Sequence, residues 1–109
     1  MSLAQHFMDA LHHLDRTGDV ERISALFAPG ATLRRMAQNH AYTGEGAAPR
    51  FWRDYREAFE QVATRFHEIR EADDLVVLEW TSEGTLPNGE GFAYDGVSLL
   101  EPQGERVGA

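Results

Sequence analysis

A chain of 109 residues is long enough to bury one hydrophobic core without metal or disulfide support, and one domain over residues 1–109 is the expected organisation. It has no cysteine, which excludes a disulfide framework, a thiolate metal site and a cysteine nucleophile, and fits a reducing compartment. Eighteen acidic against ten basic residues give a formal charge of -8, which repels nucleic acid and anionic membranes. No apolar run reaches the roughly 18 residues of a membrane helix, and Met1–His6 lacks the basic and apolar parts of a signal peptide. The expectation is a cytoplasmic protein with neither nucleic acid nor membrane as a partner.

Ser2 with Gln5 three residues on is a capping-box pattern, followed by Leu3, Phe7, Ala10, Leu11 and Leu14 on one helical stripe that Gly18 closes. Asp19 is placed to cap a second, shorter helix carrying Val20, Ile23, Leu26 and Phe27 and ending at Pro29-Gly30. Ala31–Met36 reads as a short strand, and Ala37–Gly46 as polar loop holding Asn39, His40 and Tyr42. Pro49 suits a first helical turn, after which Phe51, Trp52, Tyr55, Ala58, Phe59 and Val62 recur at helical spacing. A strand over Ala63–Glu71 and a turn at Asp73-Asp74 follow.

Leu75–Thr85 alternates as a strand, with Leu75, Val77, Glu79, Thr81, Glu83 and Thr85 on one face and Val76, Leu78, Trp80 and Ser82 on the other. Two hydroxyls and two carboxylates beside Leu and Val suit the floor of a pocket, so the first face is expected inside and the second outside. Phe92–Glu101 is the next strand, turned back by Pro102-Gln103-Gly104. Glu105–Ala109 then starts a strand and stops, so the sheet is expected to lose most of its last member. Three helices followed by antiparallel strands make an α+β arrangement with helices on one face of a curved sheet.

Asp15-Arg16-Thr17-Gly18-Asp19, followed by Leu26-Phe27-Ala28-Pro29-Gly30-Ala31-Thr32, resembles the start of a nuclear transport factor 2-like domain. Tyr42-Thr43-Gly44, Glu79-Trp80-Thr81 with Gly84-Thr85, and Asp95-Gly96-Val97-Ser98 resemble its SnoaL-like branch. The resemblance covers essentially the whole chain. It implies a cone-shaped antiparallel sheet wrapped around the long first helix, with three helices on the inner face and a cavity open at one end. It also implies a homodimer through the outer sheet face, where Val76, Leu78 and Trp80 are expected to lie. Ketosteroid isomerases, polyketide cyclases, limonene-epoxide hydrolases, dehydratases and non-catalytic association domains share this fold. Where the isomerases place an Asp base this chain has Arg34, Arg35 and Met36, so their machinery is not matched. The Arg and Asp that the epoxide hydrolases carry two apart fall on Thr81 and Glu83.

Glu79 and Glu83 lie about 13 Å apart along an ideal strand, and burial of either would raise its pKa toward acid/base work. Glu83 is the favoured general acid/base because it falls on the epoxide-hydrolase position, with Glu79, His40 and Tyr94 as further candidate catalytic groups. Tyr94 shares a face with Phe92 and Ser98, which the resemblance turns inward. Trp52, Tyr55, Thr81, Phe92 and Arg35 complete the expected ligand pocket, with Phe59 assigned to the core. His6, Asp9 and His13 share a flank of the first helix but lie well off its apolar stripe without a fourth ligand, so no metal is expected. The Gly pairs around Glu45 and Glu90 lack the third glycine of a dinucleotide site, and no cofactor is expected. Two functions follow: a small hydrophobic molecule is bound and turned over by a cofactor-independent cyclase, isomerase or hydrolase, or the fold serves as a non-catalytic binding or association domain.

Overall fold

Ser2 and Gly18 set the length of the first helix. The computed structural model, which describes residues 2–35 and 41–109, places α1 at Leu3–Thr17. The Ser2 hydroxyl accepts from the Gln5 N–H at 3.1 Å, and Gly18, at φ 78°, donates its N–H to the Leu14 carbonyl at 2.8 Å. Along the helix Ala4, Phe7, Ala10, Leu11, Leu14 and Asp15 form the buried stripe.

Helix α2 (Glu21–Ser24) is shorter than its apolar pattern predicts, although Asp19 does accept from the Glu21 N–H at 3.0 Å. Leu26 and Phe27 leave the helix because the C-terminal segment offers them main-chain partners. Ala28 donates to the Val107 carbonyl at 2.9 Å, Val107 donates to Leu26 at 2.8 Å, and Thr32 donates to Gly108 at 3.1 Å. Strands β1 (Thr32–Arg34) and β2 (Ala41–Thr43) pair antiparallel, so part of the expected polar loop is a strand. Helix α3 (Ala47–Glu57) has Pro49 in its first turn and stops before Phe59 and Val62.

The main sheet runs β3 (Gln61–Glu71), β4 (Val76–Thr85), β5 (Gly91–Leu100), all antiparallel and in that spatial order. A two-residue pair, β6 (Pro102–Gln103) and β7 (Arg106–Val107), follows, and its Val107 is fully buried. The free side of β3 lies along α1, where His12 Nε2 donates to the Thr64 carbonyl at 3.0 Å. A bulge between Phe66 and Ile69 and the exposed charges of Arg65, Glu68 and Arg70 further protect that edge.

Register fixes which face is inside. Thr64 stands opposite Ser82 and Ser82 opposite Tyr94; Phe66 pairs with Trp80 and Trp80 with Gly96; Leu78 pairs with Ile69 and Ser98. Val76 and Leu78 are wholly buried and join Phe7, Leu14, Ile23, Trp52 and Leu100 in one core under the helices. Each such side chain contributes about 1.5–3 kcal/mol by leaving water. The concave, helix-covered face therefore carries Val76, Leu78, Trp80 and Ser82, and the convex face carries Val77, Glu79, Thr81 and Glu83. This reverses the expected assignment. The alternation is as predicted, but β4 opens with apolar residues on both faces, and the pattern within one strand does not say which is covered. Trp80 accordingly leaves the expected outer contact and turns inward.

Candidate functional site

The apolar stripe of α1 does not end at Leu14. Asp15, four residues after Leu11, continues it and is only 6% exposed. From α3 the Tyr55 hydroxyl donates to Asp15 Oδ1 at 2.9 Å, while Oδ2 is buried without a hydrogen-bond partner. Next to this pair β3 and β4 supply Thr64 and Ser82, both buried, with their hydroxyl oxygens 3.0 Å apart. Burial pushes the Asp15 pKa above the ordinary carboxylate value, and the Thr64 and Tyr55 hydroxyls with the charges of His12 and Arg56 pull it part of the way back. Tyr55 is held protonated far above the ordinary tyrosine range, chiefly by burial and then by the Asp15 charge.

An unbroken run of aromatic rings leads outward from this polar group. Tyr55 meets Phe59 at 5.5 Å, Phe59 stacks on Phe92 at 4.9 Å, Phe92 meets Tyr94 at 5.6 Å, and Tyr94 meets Trp80 at 5.6 Å. Trp80 lies flat across Gly96, where a Cβ would come within 2.4 Å of the indole, and its Nε1 donates to Ser98 Oγ at 3.0 Å. The glycine is what lets the ring reach that position. Tyr94 remains 43% exposed, and burial raises its pKa against the opposing Arg35 charge. On the other side the Arg35 guanidinium stands 5.9 Å over the Tyr55 ring.

Two open grooves flank the cluster along α1. One, of about 470 Å³, has Asp15, Arg16, Arg56, Glu60, Val62 and Glu83 among its walls, and Arg56 Nε is a second buried polar atom without a partner there. The other, of about 460 Å³, lies around Met8, His12, Phe66 and His67. Among the described residues no three His, Asp or Glu side chains gather to hold a metal ion.

Of the expected site residues, Tyr55, Phe92, Tyr94 and Arg35 come together on the concave side. Between the two adjacent arginines, Arg35 is the one half-buried there and Arg34 is exposed. Glu79, Thr81 and Glu83 do not join them. Glu79 and Glu83 are exposed on the convex face, where Glu83 pairs with Arg65 at 3.6 Å and reaches only the rim of the first groove. Thr81 is tied into a convex chain, donating to Asp95 at 2.5 Å and standing 2.7 Å from His67 Nε2. Trp52 is core rather than pocket: it is 8% exposed and its ring meets Phe7, Phe27, Phe51 and Tyr55. His40 lies outside the described residues. Asp15, Thr64 and Ser82 were not expected in the site. The signal for Asp15 was its place on the helical stripe, whereas the two hydroxyls are brought together only by strand register.

A family model described as a SnoaL-like domain matches residues 4–107. Several solved structures share the fold. An NTF2-like protein from Anabaena variabilis superposes with a TM-score of 0.84 at 14% identity, over 97% of this chain and 81% of its own. A hypothetical protein with a ketosteroid isomerase-like fold from Catenulispora acidiphila, in complex with trimethylamine, gives 0.80 at 20% identity over 94% and 79%. TerC co-crystallised with polyporic acid gives 0.76 at 18% identity over 97% and 86%. A sequence comparison with curated proteins finds no match. At these identities the structural likeness speaks for the fold alone.

Proposed function

The chain belongs to the SnoaL-like domain family, and from that premise we propose that it binds a small, largely apolar molecule on the concave face of the sheet, with Asp15 and Tyr55 as its proton-handling pair. The observation that carries this reading is a carboxyl held out of water, with one oxygen on Tyr55 and the other unmatched, behind an aromatic wall that stays half open at Tyr94. A desolvated carboxyl whose pKa is raised holds a proton more readily than an ordinary carboxylate and is suited to give and take one. Tyr55 stands between it and the aromatic wall, so the hydroxyl passes a proton from an acidic ligand O–H or C–H to Asp15, or back, as a cofactor-independent cyclase, isomerase or hydrolase requires. The trimethylamine and polyporic acid bound by two proteins of the same fold support a small-molecule site.

A second reading has its own observation. Asp15 Oδ2 is sealed from water, so the carboxyl serves equally to fix Tyr55 in a binding site without turnover. A thermal-shift screen of hydrophobic ketones, epoxides and hydroxylated aromatics tests the binding step. Hits that stabilise the wild type are expected to lose their effect in Tyr94→Ala; hits that stabilise both proteins equally would move the site elsewhere. With a hit in hand, loss of its conversion in Asp15→Asn with binding retained selects the enzyme, and retained binding with no conversion by wild type selects the binding domain.

For the assembly we infer a homodimer through the convex face, now with Val77, Val97 and Leu99 in the place expected for Trp80. Leu99 stands opposite Val77 in the register, and Val97 and Leu99 are 45% and 49% exposed. Sedimentation as a monomer at micromolar concentration would exclude this contact.

A further inference from the structure

We infer that the concave site takes a planar organic anion, an aromatic carboxylate or phenolate whose ring lies against Trp80, Tyr94 and Phe92 and whose charge meets Arg35. This rests on the small-molecule reading and narrows it to one ligand class. Arg35 is the anchor of the argument. It is half-buried over Tyr55, and among the described residues no carboxylate lies within ion-pair distance of it, in a chain with eighteen acidic residues available. Most arginines of the chain share this lack of an ion pair, only Arg65 and Arg70 holding Glu83 and Glu68 among the described residues; what sets Arg35 apart is that it is half-buried over a tyrosine ring on the concave side. A guanidinium stacked on a tyrosine and left without a counter-ion presents its fork to an incoming carboxylate or phenolate oxygen.

The shape of the ligand follows from the surface beside that cation. Trp80 is pressed onto Gly96 and tied to Ser98, so its ring is fixed. Phe92 is fixed in turn by its stacking on Phe59. Between them Tyr94 is the most exposed ring of the concave face, and its hydroxyl has no hydrogen-bond partner among the described residues. A flat ligand covers this surface with little loss of its own freedom, and the Tyr94 hydroxyl is available to donate to the oxygen that Arg35 attracts. An ammonium at the same place would face the Arg35 charge, so the trimethylamine bound by one protein of the same fold is not the model for this site.

Three probes of one shape separate the possibilities: 2-naphthoate, its neutral amide 2-naphthamide, and 2-naphthylmethylammonium, titrated calorimetrically into the full chain at neutral pH. The naphthoate is expected to bind about ten-fold more tightly than the amide, the worth of one charge-assisted hydrogen bond, and to weaken with added salt. Arg35→Gln should bring naphthoate down to the level of the amide and leave the amide unchanged, with Arg35→Lys falling between. Unchanged far-ultraviolet circular dichroism and unfolding midpoints establish that the variants are folded. Amide or ammonium binding as tight as that of naphthoate, or naphthoate binding indifferent to Arg35→Gln, overturns the anion assignment and leaves the small-molecule site standing. Failure of all three to bind the wild type, together with an empty thermal-shift screen, overturns both.

Discussion

Replacing Tyr55 by Phe removes one oxygen from the protein and takes from Asp15 the hydroxyl that donates to Oδ1, leaving Thr64 as the only neighbouring hydroxyl to favour the charged form. The Tyr55 hydroxyl now donates to Oδ1 at 2.9 Å, while Oδ2 already lacks a partner and the residue is 6% exposed. A hydrogen bond to a charged acceptor contributes about 1.5–3 kcal/mol. Asp15 limits the loss by taking up a proton, since its pKa is already raised by burial and loses one of the contacts that lower it. A destabilisation of about 1–2 kcal/mol is therefore expected, or a fall in Tm of roughly 5–10 °C for a domain of this size. Urea unfolding of wild type, Tyr55→Phe, Asp15→Ala and the double variant closes a cycle. If the contact is what the geometry shows, the two changes couple by about 1 kcal/mol or more, and the second change has little effect once the first is made. Additivity within about 0.5 kcal/mol would mean that the pair is not bonded in solution, and the proton-handling role would lose its basis.

The ends of α1 were legible in the sequence because they are written in local chemistry: a serine that accepts from the third residue on, and a glycine free to adopt a positive φ. The β2 strand was not, since Ala41-Tyr42-Thr43 is too short for a period of two to register and is defined by its pairing with β1. The site divides in the same way. Tyr55, Phe92 and Tyr94 could be placed from spacing and resemblance, and Asp15 stood on the apolar stripe where a carboxylate is easily taken for its exposed border. Trp52 shares its helix and spacing with Tyr55, and only Phe7 and Phe27 closing over it make it core. The misplaced carboxylates have a single cause. At the start of β4 the apolar Val77, with Leu75 just before the strand, is matched by Val76 and Leu78 on the other face, so the covered face is decided by what pairs across the sheet: Thr64 with Ser82, and Trp80 over Gly96.

Three further outcomes follow from the same geometry. Folded Asp15 keeps its proton to higher pH than the ordinary 3.8, so the native state binds more protons than the unfolded chain above that pH. Its contribution makes stability fall as pH rises from 3.8 through the folded value; urea midpoints of Asp15→Asn should lack that fall, and profiles parallel to wild type would refute it. Gly96→Ala drives a methyl group to 2.4 Å from the Trp80 ring, so a loss of about 1–3 kcal/mol with a shift in tryptophan emission is expected, and neither would occur if the indole lay elsewhere. The orientation of β4 has the most direct test, because the chain has no cysteine and a single one can be introduced on either face. Ser82→Cys is nearly isosteric at a position 2% exposed, whereas Glu83→Cys stands one residue on, in solvent beside Arg65. Under native conditions a thiol reagent reaches the first only when the sheet opens, so labelling at Ser82→Cys should be slower than at Glu83→Cys by more than about a hundredfold, and equal in denaturant. A slip of one residue in the register would exchange the two faces throughout β4. Fast labelling at Ser82→Cys with protection at Glu83→Cys would return the Glu83 carboxylate to the pocket and remove Thr64 and Ser82 from it.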